Sequence, residues 1–113
     1  MQGFTGEKIL MRFHIGESDR HGHRPLYEAL MELFRKEGLA GATVLRGIAG
    51  YGASSVYHTD KLLELSKDLP MVIEVVDSQE KIEGVMPLVD SMMAGGMVTM
   101  ESVQVRRYGK PGA

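Results

Sequence analysis

The sequence predicts an α+β protein with the ferredoxin-like βαββαβ topology, in which two helices lie on one face of an antiparallel four-stranded sheet. Strand-like and helix-like patterns follow one another in the order strand, helix, strand, strand, helix, strand. Right-handed crossovers place both helices on the same face. The 113 residues are 43% hydrophobic and 25% charged, which is ordinary for one globular domain. We therefore expect a single domain over 1–113, with a core from about 8 to 107.

The first strand and the first helix are indicated by two different periods. Apolar residues alternate with other residues over 9–15, up to Gly16, and this period of two is typical of a strand. A polar loop over 17–24 follows. Pro25 suits the first turn of a helix, where a missing N–H costs nothing, and leucines at helical spacing predict a helix over about 25–37.

Two strands and a long connection between them come next. Residues 43–48 predict the second strand, and the nearly continuous apolar run over 71–76 predicts a central third strand that is entered at Pro70. The glycine- and serine-rich connection, about 50–68, is much longer than a hairpin turn. Connections of this length are usually functional or mobile, and we expect the glycine- and serine-rich tip of this one to be mobile without ligand.

The last third of the chain contains the second helix and the fourth strand. Asp77 and Glu80 fit a capping-box-like start for the helix. Pro87 lies inside that helix and is expected to kink it. Gly95-Gly96 ends the helix, and residues 97–105 predict the fourth strand.

Strand three is apolar on both of its faces. Val72 and Val76 point opposite to Met71, Ile73 and Val75, because successive side chains in a strand alternate between faces. The two helices cover only one face, and a chain of this length has no further element for the other. An exposed apolar face usually marks an interface, so the sequence predicts association through the sheet.

Composition excludes several classes of protein. There is no cysteine, which excludes disulfides, thiolate metal sites and cysteine nucleophiles. The formal net charge of −2 draws the chain neither to nucleic acid nor to an anionic membrane. The apolar runs are too short to cross a bilayer, and the first eight residues lack a signal-peptide core. We therefore expect a cytoplasmic protein without a nucleic-acid partner.

The chain also carries short motifs whose combination is more specific than any one of them. They are Ile15-Gly16-Glu17 with Asp19, Arg24-Pro25-Leu26-Tyr27, Gly41-Ala42-Thr43-Val44, Arg46-Gly47-Ile48, Gly50-Tyr51-Gly52, His58 with Asp60, Leu65-Ser66, Asp68-Leu69-Pro70, Glu74-Val75-Val76-Asp77 and Gly96-Met97-Val98. Together they resemble the PII-like family known as domain of unknown function 190 (UPF0166-type), which is related to the PII nitrogen-regulatory proteins. The resemblance covers about 8–105.

This resemblance implies a regulatory signalling protein rather than an enzyme. It implies a homotrimer with adenine-nucleotide-type ligands in the clefts between subunits, and no obligatory cofactor, catalytic residue or metal. The 50–68 connection would correspond to the PII T-loop, which contacts partner proteins, and the turn at Gly95-Gly96 to the phosphate-binding B-loop. Because some relatives occur beside fluoride-channel proteins, a membrane transporter or channel is a possible partner.

Two glycine-rich turns supply the candidate ligand site, since glycine permits close approach of an anion to backbone N–H groups. Turns at the same end of neighbouring strands would direct donors at one phosphate. The candidate residues are Arg46, Gly47, Gly50, Tyr51, Gly52, Gly95, Gly96, Met97, Val98 and Arg107, with Lys110 as a further cation. Met97 stands where the resemblance implies a lysine. Arg106 and Arg107 are adjacent, whereas the resemblance implies two arginines separated by one intervening residue. Both departures favour AMP or ADP over ATP.

Two arginines lie within predicted strands and therefore need a partner or a cleft. Arg12 alternates with apolar residues in the first strand, and Arg46 does so in the second. A salt bridge, with Glu74 or Glu101, is favoured for Arg12. For Arg46 a salt bridge and a ligand contact are both open.

The sequence also leaves other functions open. Both glycine-rich turns can be read as ordinary structural turns. A small metal-binding protein or enzyme on a CutA-like trimer is the main alternative. Its candidate zinc ligands are His21 and His23 with Glu17 or Asp19, although this spacing matches no closed zinc motif. An RNA-binding sheet face is less favoured, because the fourth strand lacks the aromatic residues on which bases stack.

Overall fold

The structure, a computed structural model, describes residues 4–51 and 68–109. The elements in chain order are β1 (Gly6–Gly16), β2 (Arg20–His21), β3 (Arg24–Pro25), α1 (Leu26–Lys36), β4 (Ala42–Arg46), β5 (Pro70–Asp77), α2 (Gln79–Met92) and β6 (Met97–Val105). The main sheet has the strand order β4-β5-β1-β6, and all neighbouring strands are antiparallel. The predicted ferredoxin-like topology is therefore confirmed.

Some sequence predictions fall outside the described ranges. Most of the connection predicted at about 50–68 lies there, and so do Gly52, His58, Asp60 and Lys110. Within the described ranges, no helix is long and apolar enough to span a membrane.

The core lies between one sheet face and the two helices. The alternation in β1 and β5 sends every second side chain to this face, and each helix contributes an apolar stripe. The Phe13 and Phe34 rings pack with centroids 5.2 Å apart. The buried core cluster consists of Met11, Phe13, Ile15, Leu26, Leu30, Phe34, Met71, Ile73, Val75, Ile82, Val85 and Val89.

The opposite sheet face, here called the open face, also carries apolar side chains. Val72 and Val76 are half-buried, whereas Met71, Ile73 and Val75 on the core face are buried. This distribution confirms the two-sided apolar character predicted for the third strand of the βαββαβ pattern, which is β5.

The polar segment between β1 and α1 is more ordered than the sequence predicts. Residues 17–24 were expected to form a loop, but β2 and β3 pair within it, with Arg20 opposite Pro25 and His21 opposite Arg24. Gly22 has φ +63° in the two-residue turn that joins them, a conformation that such tight hairpin turns require. Three polar residues and a proline, without apolar alternation, give no strand signal, which is why the hairpin was missed.

The start of α2 differs from the predicted capping box. Asp77 is the last residue of β5, and the N-cap is Ser78, whose side chain accepts a hydrogen bond from the Lys81 N–H. Asp77 is 5% exposed. Its carboxylate accepts hydrogen bonds from the Ala40 N–H at 2.8 Å and from the Ser78 N–H at 2.7 Å. Asp77 therefore connects the turn after α1 to the sheet. Its partner Ala40 lies 37 positions earlier in the sequence, so the sequence pattern around Asp77 does not reveal this contact.

Candidate functional site

Most of the predicted ligand residues gather at one end of the main sheet. The strand register places Arg46 and Ile15 on either side of Met71, and His14 beside Met97. The end of β4 and the start of β6 therefore lie at the same end of the sheet. Each of the two glycine-bearing turns emerges there.

The site hypothesis assumed that the two turns lie on neighbouring strands, but they do not. They follow β4 and precede β6, which are the two edges of the sheet, with β5 and β1 between them. Three strand spacings of about 4.8 Å separate the edges by about 14 Å. The two turns of one chain therefore start from opposite edges of the sheet and not from adjacent strands.

Arg107 lies at the other end of the sheet. It follows β6, whose nine residues span about 27 Å from Met97 to Val105. Its guanidinium lies 5.3 Å from the centre of the Phe4 ring, and its N–H donates to the Thr5 hydroxyl at 3.4 Å. Within one chain, Arg107 is therefore remote from both glycine-bearing turns.

The turn after β4 packs tightly against the start of β5. The Gly47 N–H donates to the Pro70 carbonyl at 2.7 Å. A Cβ at position 47 would lie 2.7 Å from Pro70 Cγ, closer than van der Waals contact permits. Gly47 is therefore needed for the fold, whether or not a ligand approaches it. Beyond this turn Tyr51 is 71% exposed.

The two glycines before β6 have different roles. Gly96 has φ +89°, and a Cβ there would lie 2.8 Å from the His14 carbonyl oxygen. A Cβ on Gly95 would meet no atom within 4 Å. The fold requires a glycine at position 96, whereas position 95 is open to whatever approaches the turn.

Two carboxylates that were not assigned to the ligand site lie at this end of the sheet. Glu17 forms an ion pair with Arg46, and its N–H donates to the Leu69 carbonyl at 2.8 Å. Asp68 accepts a hydrogen bond from the Ser18 N–H at 3.0 Å. Glu17 and Asp68 stand in two of the motifs identified in the sequence, and acidic residues beside strand ends were the signal that could have revealed them.

The Arg12 salt bridge is confirmed. Its Nε lies 2.9 Å from a Glu74 oxygen, and its Nη1 lies 3.7 Å from a Glu101 oxygen, both on the open face. Donation to Glu74 raises the pKa of the Arg12 guanidinium above its ordinary value. This network places charge at the centre of an otherwise partly apolar surface.

The residues considered as zinc ligands are not arranged as a metal site. His21 and His23 are exposed on the β2–β3 hairpin, and Asp19 accepts a hydrogen bond from the Gly16 N–H at 2.9 Å. Within residues 4–51 and 68–109, no three His, Asp or Glu side chains are grouped so that they could hold a metal ion.

A separate groove of about 640 Å³ lies between α1 and β4. None of the predicted ligand residues lines it. Its lining consists of Arg24, Tyr27, Glu28, Met31, Glu32, Phe34, Arg35, Leu39, Ala40, Gly41, Ala42 and Val44. The groove is therefore distinct from the glycine-bearing end of the sheet.

Comparison with known proteins finds relatives over nearly the whole chain. The family model DUF190, described as "Uncharacterized ACR", matches residues 8–105. A UPF0166 protein of Aquifex aeolicus is 36% identical over 99 residues, which cover 88% of this chain and 93% of the relative. These matches confirm the family suggested by the motifs.

Solved structures share the fold at low sequence identity. CPII from Thiomonas intermedia K12, bound to ADP and bicarbonate, has a TM-score of 0.57 at 21% identity over 89% of this chain and 90% of that chain. The same protein, described as a nitrogen regulatory PII-like protein and bound to ADP, AMP and bicarbonate, has a TM-score of 0.55 at 18% identity over 90% and 96%. The chain therefore has a PII-like fold.

Proposed function

Because this chain belongs to the DUF190 family and has a PII-like fold, we propose that it is a cytoplasmic regulatory protein that binds an adenine nucleotide. The observation that carries the proposal is that structures of CPII, which has the same fold, contain ADP, or ADP with AMP. The nucleotide alters the 50–68 connection, which acts on a partner protein such as a membrane transporter or channel. The chain itself catalyses no reaction and needs no obligatory cofactor.

The binding site lies at the boundary between subunits. In one chain the two glycine-bearing turns are on opposite edges of the sheet, and Arg107 is at the far end. Association with a second copy can bring the β4 edge of one chain close to the β6 edge or the C-terminal region of another. The separation within one chain thus supports a ligand site that is completed by association.

Association uses the open face. A row of side chains crosses this face from Leu45 through Val72 and His14 to Met97. Leu45 is 48% exposed and Met97 is 56% exposed. Turning three such faces toward a common axis would bury these side chains in a homotrimer, which is favourable because apolar area is removed from water.

A nucleotide of modest charge suits the residues around the turns. Arg46 is the cation in the candidate set at this end of the sheet, and Met97 carries no charge where the resemblance implies a lysine. Each charged hydrogen bond contributes roughly 1.5–3 kcal/mol, so fewer cations favour AMP or ADP over ATP.

Calorimetric titration of the purified protein with AMP, ADP and ATP tests this function. Gly95→Val is the informative variant, because a side chain at position 95 enters open space and would block a phosphate without straining the backbone. Gly41→Val is the matched control, since a Cβ at position 41 also meets no atom within 4 Å and lies at the opposite end of β4.

We expect the unmodified protein and Gly41→Val to bind AMP and ADP more tightly than ATP. Gly95→Val should bind AMP and ADP at least tenfold more weakly than the unmodified protein does. A factor of ten corresponds to about 1.4 kcal/mol of lost binding energy. Equal binding by all three proteins would place the site elsewhere. If none of them binds any adenine nucleotide, the regulatory function is wrong and the metal-binding or enzymatic alternative becomes the better hypothesis.

A further inference from the structure

The ion pair between Glu17 and Arg46 joins two segments at the glycine-bearing end of the sheet. Glu17 directly follows β1, and Arg46 is the last residue of β4. The Arg46 side chain is 59% exposed, whereas the Glu17 side chain is 24% exposed. The cation is thus accessible to a dissolved anion while its carboxylate partner is largely covered.

The two members of the pair are held to different degrees. Glu17 is anchored through its backbone, because its N–H donates to the Leu69 carbonyl at 2.8 Å. Arg46 lies on an edge strand of the sheet, and its long side chain can change rotamer without moving that strand. Because the Arg46 side chain is also the more exposed of the two, we expect it to be the member that moves when the pair opens.

Glu17 differs from the other carboxylates at the glycine-bearing end of the sheet. Asp19 accepts from the Gly16 N–H and Asp68 accepts from the Ser18 N–H, so both stabilise the backbone. Glu17 instead forms an ion pair with Arg46, which is the cation that the predicted site offers to a phosphate. A carboxylate and a phosphate oxygen compete for the same guanidinium donors.

We propose that Glu17 holds Arg46 in the unliganded chain, and that the nucleotide phosphate must displace the Glu17 carboxylate in order to bind Arg46. This inference rests on the proposed nucleotide site. Opening the exposed pair opposes binding, so Glu17 lowers the affinity of the site for any anion that needs Arg46. Removing the carboxylate charge should raise that affinity about two- to fivefold, the range expected for a solvent-exposed ion pair.

The experiment measures ADP affinity by calorimetry in a double-mutant cycle. Glu17→Gln keeps the size of the side chain and removes its charge, and Arg46→Gln removes the cation. The double variant shows whether Glu17 acts through Arg46. Glu7→Gln is the matched control, because it makes the same change at an exposed position near the other end of β1.

We expect Glu17→Gln to bind ADP about two- to fivefold more tightly than the unmodified protein, Glu7→Gln to bind it unchanged, and Glu17→Gln to give no gain in the Arg46→Gln background. Equal affinity of Glu17→Gln and the unmodified protein overturns this inference but leaves the nucleotide site intact. A gain that persists without Arg46 overturns it as well, because the effect is then general charge repulsion. Absence of ADP binding to every variant overturns the proposed function and this inference with it.

Discussion

At the scale of single residues, glycines that look alike in sequence perform different tasks. Gly47 permits close packing against Pro70, and Gly96 adopts a positive φ beside the His14 carbonyl. Gly95 meets neither restriction. As part of a glycine-rich turn, Gly96 is a position where the sequence alone predicts that a β-branched residue would block a ligand with little effect on the fold. That expectation is wrong, because the backbone itself needs glycine there.

Gly96→Ala should lower the free energy of unfolding by about 1–3 kcal/mol, the cost of a strained non-glycine conformation, with further loss from the close contact to His14. Gly95→Ala should change it by less than about 0.5 kcal/mol. Urea denaturation of both variants measures the difference. If the two alanine variants prove equally stable, the positive φ at position 96 does not constrain this turn.

At the scale of elements, α2 tolerates a residue that should break it. The helix runs from Gln79 to Met92 with Pro87 inside it. Proline cannot donate a hydrogen bond to the carbonyl four residues earlier, and its ring crowds that carbonyl. The capped start at Ser78 and the buried residues Ile82, Val85 and Val89 hold the helix together despite this loss.

Pro87→Ala should therefore stabilise the protein. The exposed position regains a helical hydrogen bond, while the unfolded chain gains entropy worth about 0.4–1 kcal/mol, so we expect a net increase of about 1–2 kcal/mol in the free energy of unfolding. Thermal denaturation followed by circular dichroism measures the change, with Asp90→Ala as an exposed control on the same helix. An unchanged or lower Tm for Pro87→Ala would show that the proline relieves strain rather than causing it.

At the scale of the whole molecule, the open face is half apolar and half ionic. The row containing Leu45, Val72 and Met97 lies next to the row containing Arg12 and Glu74. Within this second row, the charges of Arg12 and Glu74 neutralise each other through their salt bridge. A face of this kind can pack against copies of itself without leaving an unpaired charge buried.

Light scattering at micromolar concentration should give three times the subunit mass of 12.5 kDa. Leu45→Glu should dissociate the assembly while leaving the subunit folded, because the residue is already 48% exposed within one chain. Leu88→Glu is the control, since Leu88 is 41% exposed on α2. A monomeric unmodified protein, or a Leu45→Glu variant that stays trimeric, would contradict association through this face.

Local patterns in the sequence were sufficient for the topology. The period of two in β1, the apolar run in β5 and the helical spacing of the leucines in α1 each predict an element from neighbouring residues. The right-handed crossover rule then leaves few arrangements. The family was also readable, because its motifs are short and contiguous.

Only the tertiary structure decided how the candidate site is arranged. The strand order separates the two glycine-bearing turns onto opposite edges, and it brings Glu17 to Arg46 across 29 positions of sequence. It likewise gives Asp77 its partner at Ala40. Periodicity reports which face a residue occupies, but a contact between distant segments depends on how whole strands and helices pack. For that reason the sequence determined which elements form, and the packing determined which side chains meet.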